Sequence, residues 1–318
     1  MAVTLAQAAL LSENDLQRGV LEVFVQEASV LDRIPLLDIE GNAYAYNKEA
    51  TLPGVAFRSV NEAYTESTGT VVQATESLVI LGGDADVDTF IQQTRSNIND
   101  QRAIQTRLKV KAAAYKYQDA FFNGDVTVDP KGFDGLKKRL IGNQVIDAGV
   151  NGLPILGSSN ADIYAFFDKL DELVAAVPGL TAENGAIYAP RGLRSKVLSA
   201  GRRIGGTEMV KEDLTGKRVA TWNGIPLLDP GDNLAGAQIL AQNETQGTAN
   251  NAASIYAVKF GEDEADAGVT GLTNGGVSVR DLGEVDDKPA LRTRIEFFCG
   301  LATFGGKSAA RLRGVLNG

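Results

Sequence analysis

Hydrophobic and polar positions fall into two periods along this chain. Between Ile163 and Val177 the apolar residues Ile163, Phe166, Phe167, Leu170, Leu173, Val174 and Val177 recur at three and four. That is the period of an amphipathic helix. Ser159 or Asn160 can cap it, and Pro178-Gly179 stops it. Near the end of the chain the period is two. Leu291, Thr293, Ile295, Phe297 and Cys299 face one way, and Arg292, Arg294, Glu296 and Phe298 the other. Gly305-Gly306 turns the chain, and Ala309 to Val315 returns as a second strand.

Residues 1–33 read as an amphipathic helix or a broken pair, because Leu16, Val20, Val23, Phe24 and Leu31 fall near helical spacing and Pro35 ends the pattern. An arm this apolar needs a surface, on its own domain or on a neighbouring subunit. Residues 41–82 read as a long, polar, two-stranded excursion. Tyr44, Tyr46 and Lys48 open it, Leu52-Pro53-Gly54 and Thr68-Gly69-Thr70 turn it, and Val71 to Leu81 is rich in β-branched residues. Such a hairpin is marginal alone in water, so it needs a partner surface in this chain or another.

The longest uninterrupted segment runs from Val87 to Asn123, without Gly or Pro in a chain that carries 35 Gly. Asp84, Asp86 and Asp88 stand at its front, where a helix dipole favours acids, and either Asp86 or Asp88 can be the N-cap. Arg102, Arg107, Lys109, Lys111 and Lys116 crowd its second half, and Gly124 can end it. At about 1.5 Å per residue, roughly 36 residues make a rod of about 54 Å. One face reads Ile91, Thr94, Ile98, Gln101, Gln105, Leu108, Ala112, Tyr115, Asp119, Phe122, a helical stripe broken by polar residues. Two readings stand: a long helix across a sheet and partly across another subunit, or an ordinary core helix with frayed ends. On the first, Ile98, Leu108 and Tyr115 pack on the sheet that carries Ile295 and Phe297.

Shorter elements fill the rest. Phe133 to Leu140 is a helical turn, and the Gly- and Asn-dense loop Ile141 to Gly157 a candidate boundary. Ala186 to Ala189 is a strand, Gly192 to Ile204 a helix, and Val219 to Leu228 a hairpin about Asn223-Gly224. Residues 229–252 are loop-rich, and Ser254 to Phe260 is a strand. No repeat or βαβα regularity appears, so the fold class is α+β.

Composition narrows the chemistry. The 318 residues are 44% hydrophobic and 22% charged, as in a globular protein, and suffice for two domains or one with insertions. A net charge of −9 argues against a general nucleic-acid grip, which needs a basic face. There is no His and one Cys, Cys299, so Cys/His zinc sites and His-dependent triads are excluded. Cys299 reads as a small buried apolar residue. No run of ~18 apolar residues predicts a membrane span, and no charged signal start precedes Arg18. Cytoplasm is the default.

Four motifs are weaker than they look. Gly300 to Ser308 resembles a phosphate loop, but Leu301 stands where its first Gly belongs, and no long helix follows. Asp84, Asp86 and Asp88 alternate like a calcium loop, but Thr89 takes the place of the turn Gly, and helix capping explains the acids. Asn243-Glu244-Thr245 matches a glycosylation sequon without a secretory context. Arg202-Arg203 and Arg311-Leu312-Arg313 read as solvated basic pairs. No catalytic, cofactor-binding or metal-binding residues are expected, and no cofactor.

The order of apolar arm, long hairpin, long helix, mixed domain and returning strands resembles the major capsid proteins of tailed double-stranded DNA bacteriophages, the Hong Kong ninety-seven type fold. The stretches ILGGDADVDTFI, IYAVKFGEDE and VRDLGEVDDKPALRTRIEFFCGLATFGGKSAARLRGV carry the likeness. The resemblance implies an N-terminal arm at 1–40, an extended loop at 41–83, a peripheral domain at 84–150 and 290–318 with the long helix as spine, and an axial domain at 151–289. It implies hexamers and pentamers that tile an icosahedral shell around packaged DNA without binding it sequence-specifically. A separate scaffold protein, a portal and cement proteins are the partners it suggests, with no membrane. Localisation would be the virion, after assembly in the host bacterial cytoplasm. Some members cross-link through a loop lysine; Lys48 is the only lysine before Lys109. An encapsulin-like nanocompartment shell is the alternative. A soluble enzyme with carboxylate or lysine chemistry is disfavoured by the missing His and cofactor motifs.

Overall fold

The computed structural model describes residues 29–95, 101–205, 210–212 and 218–317. In chain order the strands are β1 (Leu36–Asp38), β2 (Ala43–Thr51), β3 (Thr70–Ser77), β4 (Val79–Asp88), β5 (Val145–Asp147), β6 (Leu153–Pro154), β7 (Gly185–Tyr188), β8 (Val210–Glu212), β9 (Arg218–Trp222), β10 (Ile225–Leu228), β11 (Glu244–Gln246), β12 (Ala249–Lys259), β13 (Val269–Val285), β14 (Lys288–Thr303) and β15 (Ala309–Leu316). The α-helices are α1 (Thr89–Arg95), α2 (Gln101–Asn123), α3 (Leu136–Arg139), α4 (Asn160–Ala175) and α5 (Arg191–Ile204). The fold is α+β, as the mixed periodicities require.

Three sheets organise these elements. A four-stranded sheet has the order β1-β13-β14-β4. A nine-stranded sheet runs β5-β15-β12-β7-β10-β9-β8, with β11 and β6 attached to β12 and β15. The hairpin β2-β3 is a two-stranded sheet of its own. Along β7 and β12 the side chains alternate between two cores, as the pleat dictates. Ile187, Ile255 and Ala257 pack under α4 and α5 with Phe166, Leu170, Leu193 and Val197. Tyr188, Tyr256 and Val258 face the other way, toward α2.

Helix α2 lies between the two large sheets. The Tyr117 ring lies tilted 5.7 Å from Phe297 of β14, while Phe122 meets Tyr188 at 5.3 Å and Tyr256 at 5.4 Å. Its buried face is Thr106, Val110, Ala114, Tyr117, Gln118, Phe121 and Phe122. This corrects the expected stripe. Ile91 and Leu108 are exposed, and the helix is rotated so that its last two turns set the inward face. Tyr117, not Leu108, packs on Phe297; Ile98 lies outside the described residues. Polar gaps in the expected stripe were a sign of the wrong phase.

The front of the helix is also corrected. Residues 79–88 are strand, because Ala85 and Val87 are buried at period two and the whole segment pairs antiparallel with β14. Gly82 permits that pairing, since a Cβ there would collide with the Ile295 carbonyl. Helix starts at Thr89, and the Asp88 carboxylate accepts the Phe90 N–H at 2.8 Å. Asp88 is thus the capping acid, and Asp84 and Asp86 are strand residues. Whether α1 and α2 form one rod turns on residues 96–100, which lie outside the described ones.

Other expectations match. Asp162 accepts the N–H groups of Ser158 and Ser159 at 2.8 and 2.9 Å ahead of α4. Asn223 and Gly224 both take positive φ in the β9-β10 turn. Thr293, Ile295, Phe297 and Cys299 are buried on one face of β14. Burial pushes the Cys299 thiol up to about 12, so it is inert at neutral pH. Strand β13, 17 residues long, is the element that sequence periodicity does not announce. Gly275, Gly276 and Gly283 take positive φ where its register with β14 shifts, and the strand bulges there.

Replacing Phe121 by Ala should cost about 3–5 kcal/mol. Leu108→Ala should change stability by no more than about 0.5 kcal/mol. Urea unfolding of both variants checks the phase of the helix; a large loss for Leu108→Ala would contradict it.

Candidate assembly surface

The polar hairpin has a clamped base and a bare tip. At the base, Tyr46 is buried and meets Phe304 edge-on at 4.8 Å. Tyr44 lies 6.1 Å from the same ring and donates its hydroxyl to Glu264 at 2.7 Å. Arg139 of α3 grips the Glu76 carboxylate with both terminal nitrogens, one at 2.8 Å. Such bidentate pairing fixes orientation as well as distance. Lys48 sits beside this cluster, with Nζ 5.2 Å from the centre of the Tyr46 ring. Burial lowers its pKa.

Beyond Thr51 and Thr70, whose hydroxyls meet at 2.6 Å, residues 52–69 are exposed throughout. Leu52 is 78% exposed, Val55 94% and Val60 90%, and Phe57 is fully exposed. The tip is held locally: the Ser59 N–H bonds Glu62 at 2.9 Å, and the Arg58 guanidinium covers the Tyr64 ring at 5.1 Å. An apolar, exposed tip on a fixed base is built to be covered by another surface.

A ladder of ion pairs lines the outer face of the β4-β14 seam. Asp84 receives two hydrogen bonds from Arg294, at 2.7 and 2.9 Å. Asp86 receives two from Arg292, at 2.7 and 2.8 Å, and lies 2.6 Å from Lys288. Arg280 of β13 extends the ladder to Glu296. On the inner side, Arg102 of α2 bonds the Thr293 hydroxyl at 3.0 Å and pairs with Asp281. Arg294 holds the Asp84 carboxyl below the usual carboxylate range, and Arg292 and Lys288 hold Asp86 well below it.

The sequence-level motifs resolve into structure. Asp84 and Asp86, expected as helix-capping acids, are engaged by arginines. In the phosphate-loop lookalike, Gly300 to Thr303 lie in β14, Gly305 turns at φ 75°, and Ser308 is buried, so the segment is a strand, turn and strand. Arg311, expected as solvated, is largely buried and bonds Glu244 at 2.8 Å and Ser254 at 2.9 Å. Burial pushes Glu244 up, but the Ser254 hydrogen bond and the Arg311 charge outweigh it and keep it ionised. The Tyr46–Phe304 and Glu76–Arg139 clamps had no local signature, since their partners are far apart in the chain.

Comparison with solved structures finds the same fold in shells. The encapsulin SrpI complex from Synechococcus elongatus superposes with a TM-score of 0.63 at 20% identity, covering 91% of this chain and 87% of that one. The capsid of a native GTA particle gives 0.61 at 16%, covering 91% and 90%. Mycobacterium phage Bobi gives 0.60 at 15%, covering 90% and 89%. No curated protein matches the sequence. Residues 12–166, from the arm through the hairpin and long helix into α4, match the family model described as Major capsid protein GP7. The chain has the Hong Kong ninety-seven type shell fold, and its first half is similar to major capsid proteins.

In this protein the ladder joins the foot of the hairpin to the C-terminal sheet, and its strength depends on pH. A carboxyl whose folded pKa is depressed adds stability above its unfolded pKa, and that stability is lost as pH falls through the folded value. Asp86→Asn should therefore cost about 1 kcal/mol at pH 7. The gap between wild type and variant should narrow steadily below about pH 4. Urea titrations of both proteins between pH 7 and pH 2 test this; a constant gap would contradict it.

Proposed function

We propose that this protein is a major capsid protein, the repeating subunit of an icosahedral head, arranged as hexamers and pentamers around packaged double-stranded DNA. The observation that carries the reading is the hairpin: its base is fixed to its own subunit, and its apolar tip stands in solvent. Only a neighbouring copy in a closed array puts the same cover on every tip. The net charge of −9 suits a shell that encloses DNA without gripping it. The role is structural and not catalytic. The subunit divides into an arm (1–40), an extended loop (41–83), a peripheral domain (84–150 and 290–318) and an axial domain (151–289). Strand β13 pairs within the four-stranded sheet and β15 within the nine-stranded one. A separate scaffold, a portal and cement proteins complete the assembly, which forms in the host cytoplasm and ends in the virion.

The likeness to an encapsulin supports a second reading, a nanocompartment with a protein cargo. Nuclease-treated particles decide between them: protected double-stranded DNA supports the head, and protein cargo without DNA supports the compartment.

The tip is tested separately. Phe57→Ser with Val60→Ser should leave the unfolding midpoint of free subunits unchanged, because both side chains are already in water. Closed shells should be lost in negative-stain images. Normal shells from the double variant would refute the covered-tip reading.

A further inference from the structure

The chain carries a net charge of −9, yet every charged side chain of helix α5 is a cation. Arg191, Arg194, Lys196, Arg202 and Arg203 stand within its 14 residues. At about 100° per residue, Arg191, Lys196, Arg202 and Arg203 fall on the side opposite the buried Leu193, Val197 and Ala200. The stability of the helix itself does not explain them. Arg191 and Arg194 stand in its first turn, where the dipole favours acids. Arg191 is engaged by Asp229 and Asp232. Arg202 and Arg203 are exposed and have no partner among the described residues.

Helix α4 packs on the same core and is charged the other way. Asp168, Asp171 and Glu172 lie within about 100° of one another on its solvent side, beside the exposed Tyr164. Its one cation, Lys169, pairs with Glu172 at 2.7 Å. Asp171 accepts hydrogen bonds from Trp222 at 2.8 Å and Asn223 at 3.1 Å. Asp168 is exposed and has no partner among the described residues. Two helix faces of opposite sign thus stand on one subunit. A two-fold dimer about either helix would set equal charges against each other. A contact between α4 of one copy and α5 of another pairs opposite charges, and such a head-to-tail contact can close into a ring.

We propose that the acidic face of α4 in one copy docks on the basic face of α5 in the next, with Asp168 and Glu172 meeting Arg202 and Arg203. The pairing gives the contact a direction and orders subunits around each ring. It rests on the shell reading above and adds which surfaces meet within a ring. Charges at the surface are screened by salt, so ring formation should weaken between about 0.05 and about 0.5 M salt.

The test is a charge exchange in the full-length chain, with rings counted by native mass spectrometry. One variant carries Arg202→Glu and Arg203→Glu, the other Asp168→Lys and Glu172→Lys. All four side chains are exposed, so both variants should keep the wild-type unfolding midpoint. Alone, each should form rings roughly tenfold or more weakly than wild type, because like charges then face each other. Mixed in equal amounts, they should form hexamers but no pentamers, since strict alternation closes only on an even number. Undiminished rings from either variant alone would overturn the proposal and leave the shell reading standing. So would a mixture that yields no hexamers, or one that yields pentamers. A wild-type chain that forms neither rings nor shells would refute the shell reading and this proposal with it. A duplex oligonucleotide is the remaining probe. If wild type binds it, and Arg202→Glu with Arg203→Glu abolishes that binding while rings form normally, the basic face belongs to DNA and the proposal falls.

Discussion

One turn and a half of helix holds this subunit together. Tyr117, Phe121 and Phe122 are fully buried, and they face two sheets at once. Tyr117 reaches Phe297 on the four-stranded sheet, and Phe122 reaches Tyr188 and Tyr256 on the nine-stranded one. Large aromatic side chains suit this place because each buries much area at little rotamer cost. Gly124 and Gly135 complete the joint. A Cβ at either would collide with neighbouring backbone, so the helix end and the turn before α3 approach as closely as the chain allows. If this joint loosened, the two sheets would lose their fixed relation.

The hairpin inherits its position from that joint. Strand β4 continues from β3 and pairs with β14 along its length. Strand β14 carries Phe297 inward and Arg292 and Arg294 outward. Packing under the sheet and ion pairs on its outer face therefore fix the same strand. The Glu76–Arg139 grip and the Tyr46–Phe304 contact then hold the hairpin base against the body. The tip, without such contacts to the body, keeps its apolar side chains in solvent. A rigid mount with an uncovered end is what a subunit needs to present one surface in the same place in every copy of a shell.

The ion-pair ladder shows how residue chemistry and context divide. Three alternating acids before a helical segment are consistent with caps, with a cation loop, or with a strand. Only Asp88 is a cap. The other two are bound by arginines more than 200 residues away, which no local pattern can register. Arg311 repeats the case: a basic pair in the sequence looks solvated, yet Glu244 and Ser254 draw it inside. Local rules score a charged residue against water, whereas the folded chain supplies a partner in its place.

By itself, the sequence determined what depends on neighbours close in the chain. Helix α4, the Asn223-Gly224 turn, the alternation of β14 and the buried Cys299 follow from period and turn chemistry. So does the exclusion of His-based chemistry. The ordered set of elements was enough to suggest a capsid fold. Tertiary structure decided the rest. It set the phase of α2, because two sheets compete for one helix and the aromatic residues of its last turns win. It moved the strand-to-helix boundary from Val87 to Thr89, because pairing with β14 satisfies backbone groups that helix would otherwise claim. It made β13 a single 17-residue strand across glycine bulges, because β14 pairs with it on both sides of each. In the first two cases the deciding contact joins segments distant in sequence, and it outweighs a local preference of about a kcal/mol or less.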